Sequence, residues 1–258
     1  MPRGWVPGAR ENRQDLRGRP LQASRAPRIE TVCVLQSRAK ASGVGGAGPG
    51  GFHCALAPRR PSQFPLVIAA VFVTPASEQD LALMQVRDSK KISDGRILEM
   101  APDIRLVCPH SIVAIGPQRY NELYTKIKNL NRLLAWGHAR ALENLLQHVD
   151  CDLAIADQFG DERLILNALQ EKGKQIRLVQ RTKAEADLAV AAASILARAE
   201  FLLRLQRLSQ ELNTTLPKGA SPAVELAGRM VVRKYGRDRL ATVAKLHFKT
   251  TAHVLAES

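Results

Sequence analysis

Eight apolar residues follow one another without a break from Leu66 to Val73, with Pro65 before them and Pro75 just beyond. Such a run is too short to cross a bilayer and too uniform for a strand wetted on one face. It reads as a strand buried on both faces of a sheet. Ile104–Val107, Ser111–Ile115, Leu153–Asp157 and Ile176–Val179 read as further short strands. Helical segments alternate with them. Ser93 caps a short helix that stops before Pro102, and Pro117 opens another with Tyr120, Leu123, Tyr124 and Ile127 on one face. A third runs from Asn129 to about His148, and a fourth spans Asp161–Glu171. Neither Gly nor Pro occurs from Lys174 to Leu216, which leaves room for a helix of about 25–30 residues opening at Thr182-Lys-Ala-Glu185. Its apolar stripe is Leu188, Ala192, Ile195, Ala199 and Leu202, and Glu200, Arg204, Arg207 and Glu211 form its solvent face. Ser221-Pro222 signals one more helix, ending near Gly236. This alternation predicts an α/β fold, one domain over residues 64–258.

The chain carries 38 Lys+Arg against 24 Asp+Glu, a net +14 that favours a polyanionic partner. The excess is uneven. Up to Gln63 there are eleven basic and three acidic residues, so +8 of the total falls in that quarter. This segment is rich in Arg, Pro and Gly, and its Gly43–Gly51 run lacks the preceding strand and following helix of a nucleotide-binding loop. Its one apolar cluster, Thr31–Leu35, is too isolated to build a core. Residues 1–63 are therefore expected to be a basic, disordered or non-native segment. Cys33, Cys54, Cys108 and Cys151 have no zinc-like or disulfide-framework spacing, which fits a reducing compartment. No apolar stretch reaches membrane-spanning length, and the N-terminus lacks a secretory h-region.

Asp157 ends the strand Leu153–Asp157, the place where α/β folds put ligand chemistry. Glu185, expected in the first turn of the long helix, could meet it, with Asp187 as a rival. Two acids held together in a basic protein suggest divalent-metal and phosphate chemistry. Ser89-Lys90-Lys91 and Lys218, flanked by Gly219, suit phosphate contacts, or else are solvated surface. Asn129 and Asn131 suit sugar or base edges, or helix capping. His247 stands between Lys245 and Lys249, where it could serve a phosphate backbone, whereas His138 reads as a packed helix residue. Ser194 has no general base near it in sequence.

Several motifs occur together and in order: Asp88-Ser-Lys-Lys-Ile-Ser-Asp94, Tyr120-Asn121 with Asn129-Leu-Asn131, Leu134-Ala-Trp-Gly-His-Ala139, Asp157-Gln-Phe159, Thr182–Glu185, Ala189–Arg198, Leu216-Pro-Lys-Gly-Ala-Ser221 and Ala244–Thr251. From about Phe64 to the C-terminus this set resembles ribonuclease HIII, of the prokaryotic type 2 ribonuclease H branch. The resemblance implies a ribonuclease H-like fold, a mixed sheet flanked by helices. It implies an endonuclease that cleaves the RNA strand of RNA–DNA hybrids by two-metal hydrolysis, with Mg2+ or Mn2+, to 5′-phosphomonoesters. It further implies a cytoplasmic monomer with no membrane partner. Asp157 and Glu185 then fall on two of the family's four metal-binding acids, and Ser89, Lys90, Asn131, Lys218 and His247 become the expected nucleic-acid contacts.

One part of the pattern is missing. The family's first strand carries an Asp-Glu pair and a Gly-Lys-Gly segment just before the strand that here follows Pro65. This chain reads Cys54-Ala-Leu-Ala-Pro-Arg-Arg-Pro-Ser-Gln63 there, and no acid lies between Glu30 and Glu78. The family's small N-terminal substrate-binding domain is not recognisable either. The expectations are a first strand missing or altered, half of the metal ligands absent, and weak or no hydrolysis. A non-catalytic RNA–DNA hybrid-binding protein is the alternative. The change of composition at Phe64 suggests that residues 1–63 come from a shifted reading frame or a wrong start.

Overall fold

The computed structural model describes residues 64–157, 160–181, 184, 187–219 and 221–256, together with the backbone of 30–36. Five strands form one mixed sheet: β1 (Glu30–Gln36), β2 (Leu66–Val73), β3 (His110–Ile115), β4 (Leu153–Asp157) and β5 (Arg177–Arg181), in the order β3-β2-β1-β4-β5. All eight residues of β2 are buried, as the unbroken apolar run requires. β2 pairs antiparallel with β3, Val67 opposite Ala114, and parallel with β1. β1 runs antiparallel to β4, which pairs parallel with β5 so that Asp157 stands opposite Arg181.

The middle strand departs from expectation. The cluster Thr31–Leu35 was expected to add nothing to a core, yet its backbone fills the sheet's central slot, with Cys33 opposite Ala70 on one side and Ala156 on the other. A slot between two buried strands must be paired, because unmet backbone donors and acceptors there are costly. The remainder of residues 1–63 lies outside the described residues, including the Gly run and the Cys54–Gln63 junction.

Around the sheet lie helices α1 (Pro75–Leu83), α2 (Asp94–Val107), α3 (Pro117–Ile127), α4 (Leu130–Leu146), α5 (Arg163–Ala168), α6 (Leu188–Glu211), α7 (Pro222–Tyr235), α8 (Arg237–Val243) and α9 (Lys249–Ala256). α1 was not anticipated, although Thr74 and Ser77 form a capping box around Pro75. α2 does not stop before Pro102, and Ile104–Val107 is helical rather than a strand. Ile97, Met100, Ala101 and Ile104 bury one face, while Pro102 is exposed, so its ring and missing donor fall on the wet side. α6 starts later than expected. β5 runs on to Arg181, and Asp187 caps the helix by accepting from the amides of Ala189 (3.0 Å) and Val190 (3.5 Å). Its first half is buried all round, from Ala189 to Ala197, against β1, β2 and α2. Five alanines there leave room for that close packing.

α4 also lies close on β2: a Cβ on Gly137 would fall 2.1 Å from Ile68 Cδ1. His138 is fully buried, as a packed helix residue should be, and burial holds its imidazole well below the usual pKa. Glu143 is buried as well, and its Oε1 accepts from the amides of Gln170 (2.7 Å) and Gly173 (2.9 Å), tying α4 to the turn before β5.

Candidate nucleic-acid and carboxylate site

Asp157 emerges at the C-terminal end of β4 and is 4% exposed. The amide of Ala184 points at its Oδ1 from 3.4 Å, a long and therefore weak contact. This brings the turn before α6 against the strand end, as the pairing of Asp157 with the Thr182–Glu185 motif requires. Glu185 itself, with Gln158, Phe159, Thr182 and Lys183, lies outside the described residues. α6 begins at Leu188, three residues after Glu185 in the sequence. Burial raises the Asp187 carboxyl to about 6, against the opposing pull of the Ala189 and Val190 amides. Asn131, exposed at the start of α4, lies near this end of the sheet. A Cβ on Gly160, three residues past Asp157, would come within 3.4 Å of Asn131 Nδ2. Asn129 accepts from the Arg132 amide at 3.0 Å and so serves as the cap of α4.

Ser89 and Lys218 belong to a second group. Ser89 opens a 3-10 turn, Ser89–Lys91, and is buried, with its hydroxyl 2.6 Å from that of Ser194 on α6. One helical turn further along α6, Arg198 donates Nη1 to the Ser89 carbonyl. The same guanidinium donates Nη2 to Asp94 Oδ1 at 2.7 Å and Nε to that oxygen at 3.2 Å. Lys218 donates Nζ to the other oxygen, Asp94 Oδ2. Burial would raise the Asp94 carboxyl, but hydrogen bonds and charge from Lys218 and Arg198 outweigh it and lower its pKa. Lys90 is exposed on the same turn, where its amide meets Asp88 Oδ1 at 3.0 Å. Sequence alone singled out Ser89, Lys90 and Lys218 here and gave no role to Asp94 and Arg198, although both lie in the quoted motifs. The spacing of Ser194 and Arg198, one turn apart on α6, is the signal that could have found the clamp.

His247 sits in a third group. Its ring stacks on Tyr124, centroids 3.8 Å apart and planes 16° apart, with Phe248 at 4.0 Å. Lys245 is fully buried beneath, its Nζ 4.7 Å over the Tyr120 ring. Asn121 holds this segment in place. Its Nδ2 donates to the carbonyls of Ala241 (2.8 Å) and Ala244 (2.9 Å), and its Oδ1 accepts from the Leu246 amide (3.0 Å). Burial against its neighbours, then the charge of Lys245, lowers the His247 imidazole to about 4.

Two divalent cations about 4 Å apart are held by three or four carboxylates. Among the described residues, Asp157 stands at this strand end and Asp187 already caps α6, with Glu78 near enough for its charge to raise the Asp187 carboxyl. No group of three His, Cys, Asp or Glu able to hold a metal occurs among the described residues. The described carboxylates alone are too few for a cation pair, and Glu185 lies outside the described residues.

Residues 62–251 match the family model for ribonuclease HII. Ribonuclease HIII of Protochlamydia amoebophila is 47% identical over 193 residues, covering 75% of this chain and 64% of that protein. Ribonuclease HIII of Chlamydia pneumoniae is 44% identical over 189 residues, covering 72% of this chain and 63% of that protein. The chain thus spans slightly less than two thirds of the length of these relatives. The crystal structure of Bst-RNase HIII in complex with Mn2+ superposes with a TM-score of 0.71 at 28% identity, over 90% of this chain and 70% of that one. The ribonuclease H-like architecture expected from the motifs is therefore present. With a family match that takes in β2 to β5, Asp157 and the Lys218 and His247 segments, this chain belongs to the ribonuclease HII family.

Proposed function

We propose that this chain engages RNA–DNA hybrids and cuts their RNA strand endonucleolytically as a ribonuclease H, and that hydrolysis by this polypeptide is weak. The observation that carries the first half is the family match over residues 62–251, which contains the basic segments around Lys90, Lys218 and His247. A net charge of +14 suits a phosphate backbone. Lys90, Asn131, Lys218 and His247 are the proposed contacts, with Ser89, buried against Ser194, holding the turn that presents Lys90, and the RNA 2′-hydroxyl is the group that would separate hybrid from DNA duplex.

Asp157 and Glu185 are the proposed metal ligands, with Mg2+ or Mn2+ as the ion. A bound divalent ion would supply charge to activate water and to stabilise the leaving oxygen, and the products would carry 5′-phosphates. The second half of the proposal rests on the absence of any acid between Glu30 and Glu78. Too little negative charge remains to hold two cations. No helix among the described residues is long and apolar enough to cross a membrane. By family resemblance we take the protein to act as a cytoplasmic monomer. We further propose that residues 1–63 are joined to the domain at about Phe64 by a shifted frame. Resequencing upstream of that codon tests this, and an intact frame with no Asp-Glu codons in the alternatives would sink it.

The missing acids favour a second reading, a hybrid-binding protein without catalysis. A cleavage assay on a labelled RNA–DNA hybrid with Mg2+ and with Mn2+ separates the two. Weak product that Asp157→Asn removes supports a residual enzyme. Binding without product, insensitive to EDTA, supports the second reading, and robust product lost in Asp157→Asn refutes the proposed weakness.

A further inference from the structure

Asp94 is the first residue of α2, and both of its oxygens are used by segments distant in the chain. Oδ1 accepts from Arg198 on α6, 104 residues away, and Oδ2 from Lys218 in the Leu216–Ser221 loop, 124 residues away. Arg198 also holds the Ser89 carbonyl, and Ser194 holds the Ser89 hydroxyl, so the Ser89–Lys91 turn and the Lys218 loop meet at one carboxylate. Two cations on one carboxylate leave a net charge of +1, and Lys90 and Lys91 less Asp88, which caps their turn, raise it to +2. The Lys218 ammonium has three donors. One goes to Asp94, and the side chain stays 44% exposed, which leaves donors for an anion. Arg198 lies ten residues along α6 from Leu188, about 15 Å from the helix end nearest Asp157.

We infer that Asp94 is a positioning residue: it ties Lys218 to the Ser89–Lys91 turn so that both segments grip the phosphates of one nucleic-acid strand as a unit. The inference rests on the proposed engagement of hybrids and assigns part of that surface. The rival role for Asp94 is to mask Lys218 by neutralising it, and the two roles predict opposite results. If Asp94 positions, removing its charge loosens Lys218 and weakens binding. If it masks, the same change unveils a positive charge and tightens binding.

The test is fluorescence anisotropy of a labelled RNA–DNA hybrid in EDTA over a salt series, using the full chain. Lys218→Ala is expected to weaken binding roughly 3- to 10-fold and to flatten the slope of log K against log salt by about one. Asp94→Asn is expected to weaken binding in the same direction, and to add little in the Lys218→Ala background. Lys218→Arg should restore most of the affinity. Thermal unfolding of each variant reports fold retention, and Lys218→Ala leaves the Asp94–Arg198 pair intact if Asp94→Asn unfolds. Tighter or unchanged binding in a folded Asp94→Asn, or additive losses in the double variant, overturns the inference while leaving hybrid engagement standing. So does a Lys218→Ala variant that binds as wild type. Failure of the wild-type chain to bind hybrid overturns both.

Discussion

Replacing Asn121 by alanine tests how the C-terminal segment is held against α3. The amide makes three hydrogen bonds of 2.8–3.0 Å, two donated to the carbonyls of Ala241 and Ala244 and one accepted from the Leu246 amide. Each is worth about 1 kcal/mol net, and more where the abandoned backbone group stays out of water, so the loss should be about 3 kcal/mol. For a domain of this size, that corresponds to a fall in Tm of about 6–12 °C. Urea unfolding followed by far-UV circular dichroism measures the free energy, and hydrogen exchange locates it. The Leu246 amide should exchange much faster in the variant. Asn121→Asp retains the acceptor but sets a carboxylate against two carbonyls, so it should cost at least as much. A loss below about 0.5 kcal/mol, or unchanged protection at Leu246, would show that water replaces the side chain and that the segment is held by packing alone.

Glu143→Ala should destabilise by about 3 kcal/mol in the same assay, because two backbone amides lose a buried charged acceptor, whereas Glu143→Gln keeps an oxygen in place and should lose less. Lys245, lowered by burial to about 7, is uncharged in the native protein over a pH range where the unfolded chain still binds its proton. Stability should therefore rise as pH climbs from about 7 towards 10, by up to a few kcal/mol, and Lys245→Met should flatten that rise relative to wild type. Asp157→Asn should abolish whatever hydrolysis the hybrid assay detects and leave binding in EDTA within a few fold of wild type.

Much of the fold was legible because its signals are local. The eight-residue apolar run gave β2 as a doubly buried strand, and Pro117 and Ser221-Pro222 marked the starts of α3 and α7. Pro102 misled because the decisive fact is which side of α2 it faces, and that depends on where Ile97 and Ile104 pack. β1 was illegible for a related reason. Its apolar cluster stands alone in an Arg/Pro/Gly-rich segment, and its place in the sheet follows from the gap between β2 and β4. At the site, Asp157 could be named from its position at a strand end. The Asp94 junction could not, since its partners lie more than 100 residues away and only the packing of α2 on α6 brings them together.

The central claim is that this chain is built to hold an RNA–DNA hybrid. Its most direct test is a side-by-side binding measurement in EDTA with a hybrid and a DNA duplex of one sequence. Salt-dependent binding to both is expected, tighter for the hybrid, as 2′-hydroxyl contacts add to a shared phosphate attraction. Equal affinity for the two duplexes, or no binding to the hybrid, would contradict it.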